Sequence, residues 1–576
     1  MEALVICSVK NMKNRFAIKF AGQSGQGVNT LGELLAKSIK NSGYNSFAYR
    51  EYPSIIKGGY ASYQIDFSNT EILASTKQFN ILASLASEAL HKYILGLNKG
   101  GIIVHAVNDF DFTEEEIEYI KENKIEVVYI DIGAVAEENK APKIMGNVIL
   151  LSYVWSLLGF DLKVLEKVVK DTFKNKNIDM EAEIRCLNAG YTYEKPKGYN
   201  LNIEIPKVKG SWSTSLLLTA NDAISLGAIS AGCRAYYAYP MTPSTSILQT
   251  LGKTYMNTGM LVKQAESEIT AAQLVMGSMY MGTRAFTATS GGGFDLMSET
   301  ISCAGMTETP LLIVLGQRSG PGTGVPTWTG AGDLNVALNT GHGEFPRCVL
   351  SCSDAKDAYE LIQRAFNIAE KYQLPVILLT EKQSAESLFN VKDLPKAIRI
   401  ERGLKEGKER YEISGNGISP RWIPSKGKST YLVNSDEHTP DGVSTEDPLE
   451  IVRMSEKRMR KLLTLKEELP EPIYWGSKDA KNIFVGFGTT KNTILEVMKE
   501  KEDIAFLQYQ YIYPLKFENI LELEGEGKRL ILIENNQNGE FGQLVKKESG
   551  YEFKEKLLKF DSRPFFVEDI LDFLKS

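Results

Sequence analysis

Apolar positions in this chain fall into two spacings, and the switches between them mark out its elements. Arg15–Gly22 (RFAIKFAG) is an apolar run of strand length, QSGQG is a glycine turn, and Val28–Gly43 carries its apolar residues at helical spacing. Further strands are predicted at Ser62–Phe67, Ile81–Leu85, Gly101–Ala106 and Ile125–Ile132. The charge-free stretch Ile144–Phe160 is too short to span a bilayer and contains Gly146, Asn147, Ser152 and Ser156, so it reads as a buried helix. Strands alternating with helices predict an α/β fold with a mostly parallel, doubly wound sheet.

The same alternation recurs twice. Strands near Arg234–Tyr239, Arg284–Thr289, Leu311–Leu315 and Val376–Thr380, separated by glycine-dense loops, define a second α/β domain. From Lys481, NIFVGFGTT is strand then turn and Lys491–Lys499 is a helix; LILIENNQNGEFGQLVKK repeats strand, turn and helix. Between these lies a segment rich in turn residues (SGNGISPRWIPSKGK, SDEHTPDG) with one charged helix, Asp447–Leu469, which reads as a loop-rich insertion. The predicted organisation is therefore a domain over 1–195, a linker over 196–210, a domain over 211–390, an insertion over 391–478 and a domain over 479–576. A chain of 576 residues is long enough for three such cores.

Composition narrows the functional classes. A net charge of −6 gives no basic footprint for nucleic acid, and KRMRK (Lys457–Lys461) reads as a solvated helix face. The six cysteines are scattered with no CxxC pair, and the four histidines form no cluster, so no metal site and no iron are expected on this chain. The N-terminus has Glu2 and too short an apolar core for a signal peptide, which predicts a soluble cytoplasmic protein.

Two loops carry candidate chemistry. Gly22–Gly27 (GQSGQG), with Gly22, Gly25 and Gly27, sits between a strand and a helix, where backbone N–H groups can face an anion. Its spacing is GxxGxG rather than the dinucleotide GxGxxG, and Glu51 precedes Tyr52-Pro53, more a turn than a strand end. Three readings stay open there: a nicotinamide site, another phosphate or carboxylate ligand, or a tight turn with no ligand. The second loop is AYPMTPST (Ala238–Thr245), at the end of a strand, where α/β sheets bind ligands. Thr242-Pro243 also makes a good N-cap and first helical residue. Downstream, Glu268 heads a helix on which Ala272, Val275, Met276 and Met279 share its face, whereas Glu266 falls off that face. A carboxylate there is expected to be partly desolvated, with a raised pKa suited to sharing a proton with a weakly basic ring nitrogen.

AYPMTPST, AESEITAA, TATSGGGFDLMSE, GQRSGPGTGVPT, GHGEFPR and AEKYQLPVILLTE together resemble the α subunit of 2-oxoacid:ferredoxin oxidoreductases, in the form with a γ domain fused in front. GQSGQGV and KGGYASYQI resemble that γ domain; SPRWIP, EHTPDG and EKRMRKL resemble the insertion of the fused form, and ENNQNGEFGQL the final domain. The resemblance implies a γ domain, a thiamine-diphosphate pyrimidine-binding domain and a transketolase C-terminal-like domain. It implies that Glu268 hydrogen-bonds the aminopyrimidine N1′ of thiamine diphosphate and that Pro240 borders this cofactor. Thr242, Arg318 and Tyr239 are implied on the 2-oxo acid substrate, with Arg318 on its carboxylate. Two departures stand out: Gly292 where relatives often carry proline, and Lys57-Gly58-Gly59 where arginine is common.

Half of a thiamine site is missing. The nearest match to a GDG segment for Mg2+ is Gly332-Asp333-Leu334, which lacks the second glycine, and no iron–sulfur cysteine cluster is present. The resemblance supplies both on a β subunit that carries the diphosphate, Mg2+ and a [4Fe-4S] cluster, with an (αβ)2 assembly. The implied reaction takes a 2-oxo acid, coenzyme A and ferredoxin to an acyl-CoA, CO2 and reduced ferredoxin. The fused layout favours 2-oxoglutarate, with pyruvate and branched-chain 2-oxo acids next. A non-catalytic scaffold subunit and an NAD-linked dehydrogenase are the competing readings.

Overall fold

The computed structural model describes residues 15–54, 59–198, 212–425 and 430–575, which fall into two compact units. The predicted linker lies largely outside these residues, as do Lys57 and Gly58.

The first unit is built on an eight-stranded sheet in the order Glu126–Tyr129, Leu97–His105, Phe79–Ser84, Arg15–Gln23, Tyr60–Ser68, Asn45–Glu51, Leu388–Val391 and Leu216–Leu218. From Arg15–Gln23 outward through Glu126–Tyr129 the strands run parallel, as the alternation predicts. The pairings of Arg15–Gln23 with Tyr60–Ser68, of that strand with Asn45–Glu51 and of Asn45–Glu51 with Leu388–Val391 are antiparallel; the short link between Asn45–Glu51 and Tyr60–Ser68 leaves no room for a crossover. Glu51 is thus a buried strand end rather than part of a turn, and its carboxylate accepts from the Tyr93 hydroxyl at 2.9 Å. Gly146–Leu157 is the buried helix expected from its all-round apolar surface.

The second unit holds two sheets. The larger has the order Tyr511–Tyr513, Cys348–Ser351, Pro375–Glu381, Leu311–Gln317, Ala285–Thr289, Ala235–Ala238 and Leu261–Gln264. Every pairing in it is parallel except that of Tyr511–Tyr513. Leu311–Gln317 and Pro375–Glu381 are buried at every position, which is why they read as unbroken apolar runs. The smaller sheet, Ile473–Trp475, Ile504–Gln508, Asn482–Gly486, Arg529–Glu534 and Glu555–Leu558, is parallel apart from its first strand.

The insertion is anchored by buried charge. Its helix, Pro448–Glu468, starts on Asp447, whose side chain accepts from Leu449 N and Glu450 N. Lys457, Arg458 and Lys461 are buried, which corrects the expectation of a solvated KRMRK face. Lys457 and Lys461, one helical turn apart, both bind the Glu308 carboxylate, and Arg458 binds Glu437. Burial alone would raise the Glu308 carboxyl, but the two lysines outweigh it and hold it well below the usual range. A second buried carboxylate, Glu370, receives Arg284 at 2.6 Å, Arg402 at 2.8 Å and Arg421 at 3.0 Å. Among the described residues no helix is long and apolar enough to cross a membrane.

Candidate active site

Parallel strands deliver their following loops to one edge of a sheet. In the larger sheet Ala235–Ala238, Ala285–Thr289 and Leu311–Gln317 are neighbours, so loops 239–244, 290–295 and 318–330 emerge side by side. These are the segments YPMTPS, SGGGFD and RSGPGTGVPTWTG.

The first loop is a turn, not a helix cap. Met241 O accepts both Ser244 N and Ser244 Oγ, at 2.8 and 2.7 Å, and the helix Thr245–Thr258 begins only after Ser244. Thr242 is therefore not the N-cap that the sequence pattern predicts, because the turn closes first. The Thr242–Pro243 peptide is cis. Asn221 fixes the loop from below, donating to Pro243 O at 2.8 Å, and Arg318 Nη1 donates to Thr242 O at 2.9 Å. Tyr239 is exposed; Pro240 and Thr242 are half-buried.

Glu268 is the first residue of the helix Glu268–Tyr280, capped by Ser267, and is only 4% exposed. Ala271, Ala272, Val275 and Met279 are buried behind it. Glu266 is exposed and accepts from Thr270 Oγ1 at 2.9 Å, so the two acids separate as their spacing predicts. The Glu268 carboxylate lies directly over the backbone of the short helix Gly291–Asp295. A Cβ at Gly293 would fall 2.5 Å from Glu268 Oε1 and 2.8 Å from its Cγ, and nearer still to Thr289 Oγ1. Glycine at 293 is what lets this acid sit there.

Beside these loops opens a cleft of about 550 Å³ whose lining comes from the second unit and includes Ser290, Gly291, Asp295, Arg318, Asp333 and Glu540. Arg318 is the member that sequence reasoning named; Tyr239, Thr242 and Glu268 do not line the cleft itself. Burial raises Asp333 to about 6, Asp295 adds to this and Arg318 opposes it. Burial likewise raises Glu540 to about 7, although it accepts from Asn335 N at 2.9 Å. Glu540 was missed as a functional candidate, and Asp333 was met only as part of the incomplete GDG match Gly332-Asp333-Leu334. The signal available was only their place after glycine-rich turns, at Gly332-Asp333 and in NQNGEFG.

The Gly22–Gly27 loop belongs to the first unit. Gly25 and Gly27 adopt φ of 94° and 83°, the left-handed region that favours glycine. Gln23 N donates to Gln26 Oε1 at 2.6 Å, Ser24 N to Gly59 O at 3.3 Å and Gln26 N to Gln23 O at 3.1 Å. These satisfied N–H groups favour the tight-turn reading. Among the described residues no cluster of His, Cys, Asp and Glu is arranged to hold a metal.

A parallel α/β edge with a buried acid on a glycine cradle is a place where a coenzyme ring can be held, and the family comparisons give the class. Residues 226–458 match the family described as "Pyruvate flavodoxin/ferredoxin oxidoreductase, thiamine diP-bdg" and residues 17–193 that described as "Pyruvate ferredoxin/flavodoxin oxidoreductase". A 2-oxoacid:ferredoxin oxidoreductase subunit alpha from Sulfolobus sp is 30% identical over 96% of each chain. The 2-oxoglutarate oxidoreductase subunit KorA of Mycobacterium tuberculosis is 31% identical over 63% of this chain and 60% of its own. A solved structure, 2-oxoglutarate:ferredoxin oxidoreductase from Magnetococcus marinus with 2-oxoglutarate, coenzyme A and succinyl-CoA bound, matches with a TM-score of 0.88. It is 27% identical, covering 98% of this chain and 99% of that one. The chain belongs to the 2-oxoacid:ferredoxin oxidoreductase family, as an α subunit.

Proposed function

We propose that this chain is the γ–α subunit of a coenzyme A-dependent 2-oxoglutarate:ferredoxin oxidoreductase, active in the cytoplasm with a β subunit in an (αβ)2 assembly. The observation that carries the reading is Glu268, buried at a helix start and seated on a glycine where any Cβ would displace it. The residues present fit the pyrimidine half of thiamine diphosphate. They do not fit its Mg2+ or an iron–sulfur cluster, which are assigned to the β subunit with the [4Fe-4S] electron acceptor. Substrate choice follows the KorA relative and the ligands of the Magnetococcus marinus structure.

Thiamine diphosphate, when bound, supplies the carbanion that makes a 2-oxo acid lose CO2. The chain's own residues prepare that chemistry. Glu268 shares a proton with the pyrimidine ring nitrogen, from a carboxylate held in place by its seat over Gly293. Pro240 packs beside the ring. Thr242 offers its hydroxyl to the substrate carbonyl oxygen, Tyr239 closes over the substrate, and Arg318 pairs with its carboxylate through a planar fork. The Arg318 bond to Thr242 O ties the two substrate contacts into one unit. We assign residues 1–195 to the γ domain, 211–390 to the pyrimidine-binding domain and 479–576 to the C-terminal domain; the pieces Ser387–Asp393 and Phe566–Ser576, at the ends of these ranges, fall within the first unit.

The test is Glu268→Gln in the complex purified with its partner subunit, assayed by viologen reduction with 2-oxoglutarate and coenzyme A. The rate is expected to fall by roughly 10²–10⁴-fold, the usual worth of positioned proton transfer. Activity near that of the unmodified complex refutes the assignment. Turnover with pyruvate or 2-oxoisovalerate at a kcat/KM above that for 2-oxoglutarate refutes the substrate choice alone.

A further inference from the structure

The cleft beside Arg318 is built against its own cation. Asp333 and Asp295 line it with Arg318, Glu540 lines it from the smaller sheet's side, and Glu534 lies behind Glu540. An anion that enters to meet Arg318 therefore comes up against three carboxyl groups. Asp333 is the one most closely coupled to the arginine. Its main-chain N–H donates to Gln317 Oε1 at 3.2 Å, which fastens it to the residue immediately before Arg318. Its Oδ2 is buried with no hydrogen-bond partner among the described residues. A buried carboxylate oxygen without a donor is costly when ionised and comfortable when protonated.

We propose that Asp333 is a positioning residue that takes up a proton when a 2-oxo carboxylate binds at Arg318, so that the cleft admits its anion together with one proton. The inference rests on the assignment of Arg318 to the substrate carboxylate. Before an anion binds, Arg318 is the charge that favours the ionised form of Asp333 against burial and Asp295. A bound carboxylate neutralises that arginine and adds a like charge of its own, and both effects drive Asp333 to the protonated form. Asp333 starts near 6, so neutral solution lies just above its midpoint, where linked uptake is largest. The proton comes from solvent, and the protonated carboxyl then donates toward the bound anion instead of repelling it.

The probe is oxamate, a 2-oxo carboxylate mimic that does not decarboxylate, titrated calorimetrically into the assembled complex. Titrations at pH 7.0 in two buffers of different ionisation enthalpy give the number of protons taken up. The expected result is uptake approaching one proton per site. Affinity should weaken roughly tenfold per pH unit above 6.5, since one linked proton changes the constant by that factor. Asp333→Asn should abolish the uptake, flatten the pH dependence and bind oxamate more tightly than the unmodified complex at pH 8. Binding with no uptake in the unmodified complex overturns the inference without any variant, and unchanged uptake in Asp333→Asn overturns it equally. A complex that binds no oxamate overturns the Arg318 assignment itself.

Discussion

Two adjacent glycines provide the sharpest check on the site, because the structure separates their roles. At Gly293 an added Cβ would lie 2.5 Å from Glu268 Oε1 and 2.8 Å from Glu268 Cγ, whereas at Gly292 nothing lies within 4 Å. Ordinary contact begins near 3.4 Å, so alanine at 293 pushes the Glu268 carboxylate back by roughly 1 Å. A displacement of that size at a reacting group costs on the order of 10²-fold in rate. Overpacking costs about 1–3 kcal/mol, offset in part by up to about 1 kcal/mol because alanine suits a helix better than glycine. Gly292→Ala has the same helical gain and no clash, so its activity should stay within about twofold and its melting temperature should hold or rise. The assay is the initial rate of viologen reduction by the αβ complex, paired with thermal melting of each variant. If Gly293→Ala keeps full activity while folding normally, or if both variants lose activity alike, Glu268 is not held by this cradle.

The remaining predictions concern stability. Glu381 is buried, and burial raises it to about 7, while hydrogen bonds from Thr489 N at 2.7 Å and Thr489 Oγ1 at 2.6 Å pull the other way. Because the folded value lies above the ordinary 4.5, the stability it contributes is complete at low pH and is lost as pH rises through 7. That loss is about 3 kcal/mol by pH 8, so the melting temperature of Glu381→Gln should match the unmodified protein near pH 4.5 and exceed it by several degrees near pH 8. A gap that stays constant with pH would show that Glu381 is not ionising in this range. Glu370→Ala leaves Arg284 and Arg421 buried without their carboxylate and should destabilise the second unit by about 3–5 kcal/mol, read from urea unfolding. An effect under 1 kcal/mol would mean that the arginines find water instead.

The sequence pattern revealed many of the parallel strands of both units and the helix behind Glu268, because a fully covered parallel strand is an unbroken apolar run and the helix holds small and apolar residues at one spacing. Several features escaped it, Ile504–Gln508 and Glu555–Leu558 among them. Asn45–Glu51 is buried at six of its seven positions yet holds Asn, Ser, Arg and Glu, so neither an apolar run nor an alternation identifies it as a strand. Leu261–Gln264 and Cys348–Ser351 are four residues each, too short to show a period. Lys457 and Lys461 look like a solvated face because their partner, Glu308, is 149 residues away from Lys457. In the cleft, Arg318 was legible through the resemblance. Asp333 was not, since a lone aspartate in a glycine turn carries no mark of burial.

The first unit is not a contiguous stretch of chain. It is completed by Ser387–Asp393 and Phe566–Ser576, with Leu388–Val391 pairing antiparallel to Asn45–Glu51, and Asp569 binding Lys77 at 2.5 Å. On the ribosome, the opening residues emerge long before the pieces that finish their sheet. Until residues 388–391 have been made, the flank of Asn45–Glu51 is an open strand edge, ready to pair with any extended peptide. Nascent chains therefore need shielding through the synthesis of residues 1–391 of the 576, and a gene cut back to its first 195 codons would yield a sheet with that flank uncovered.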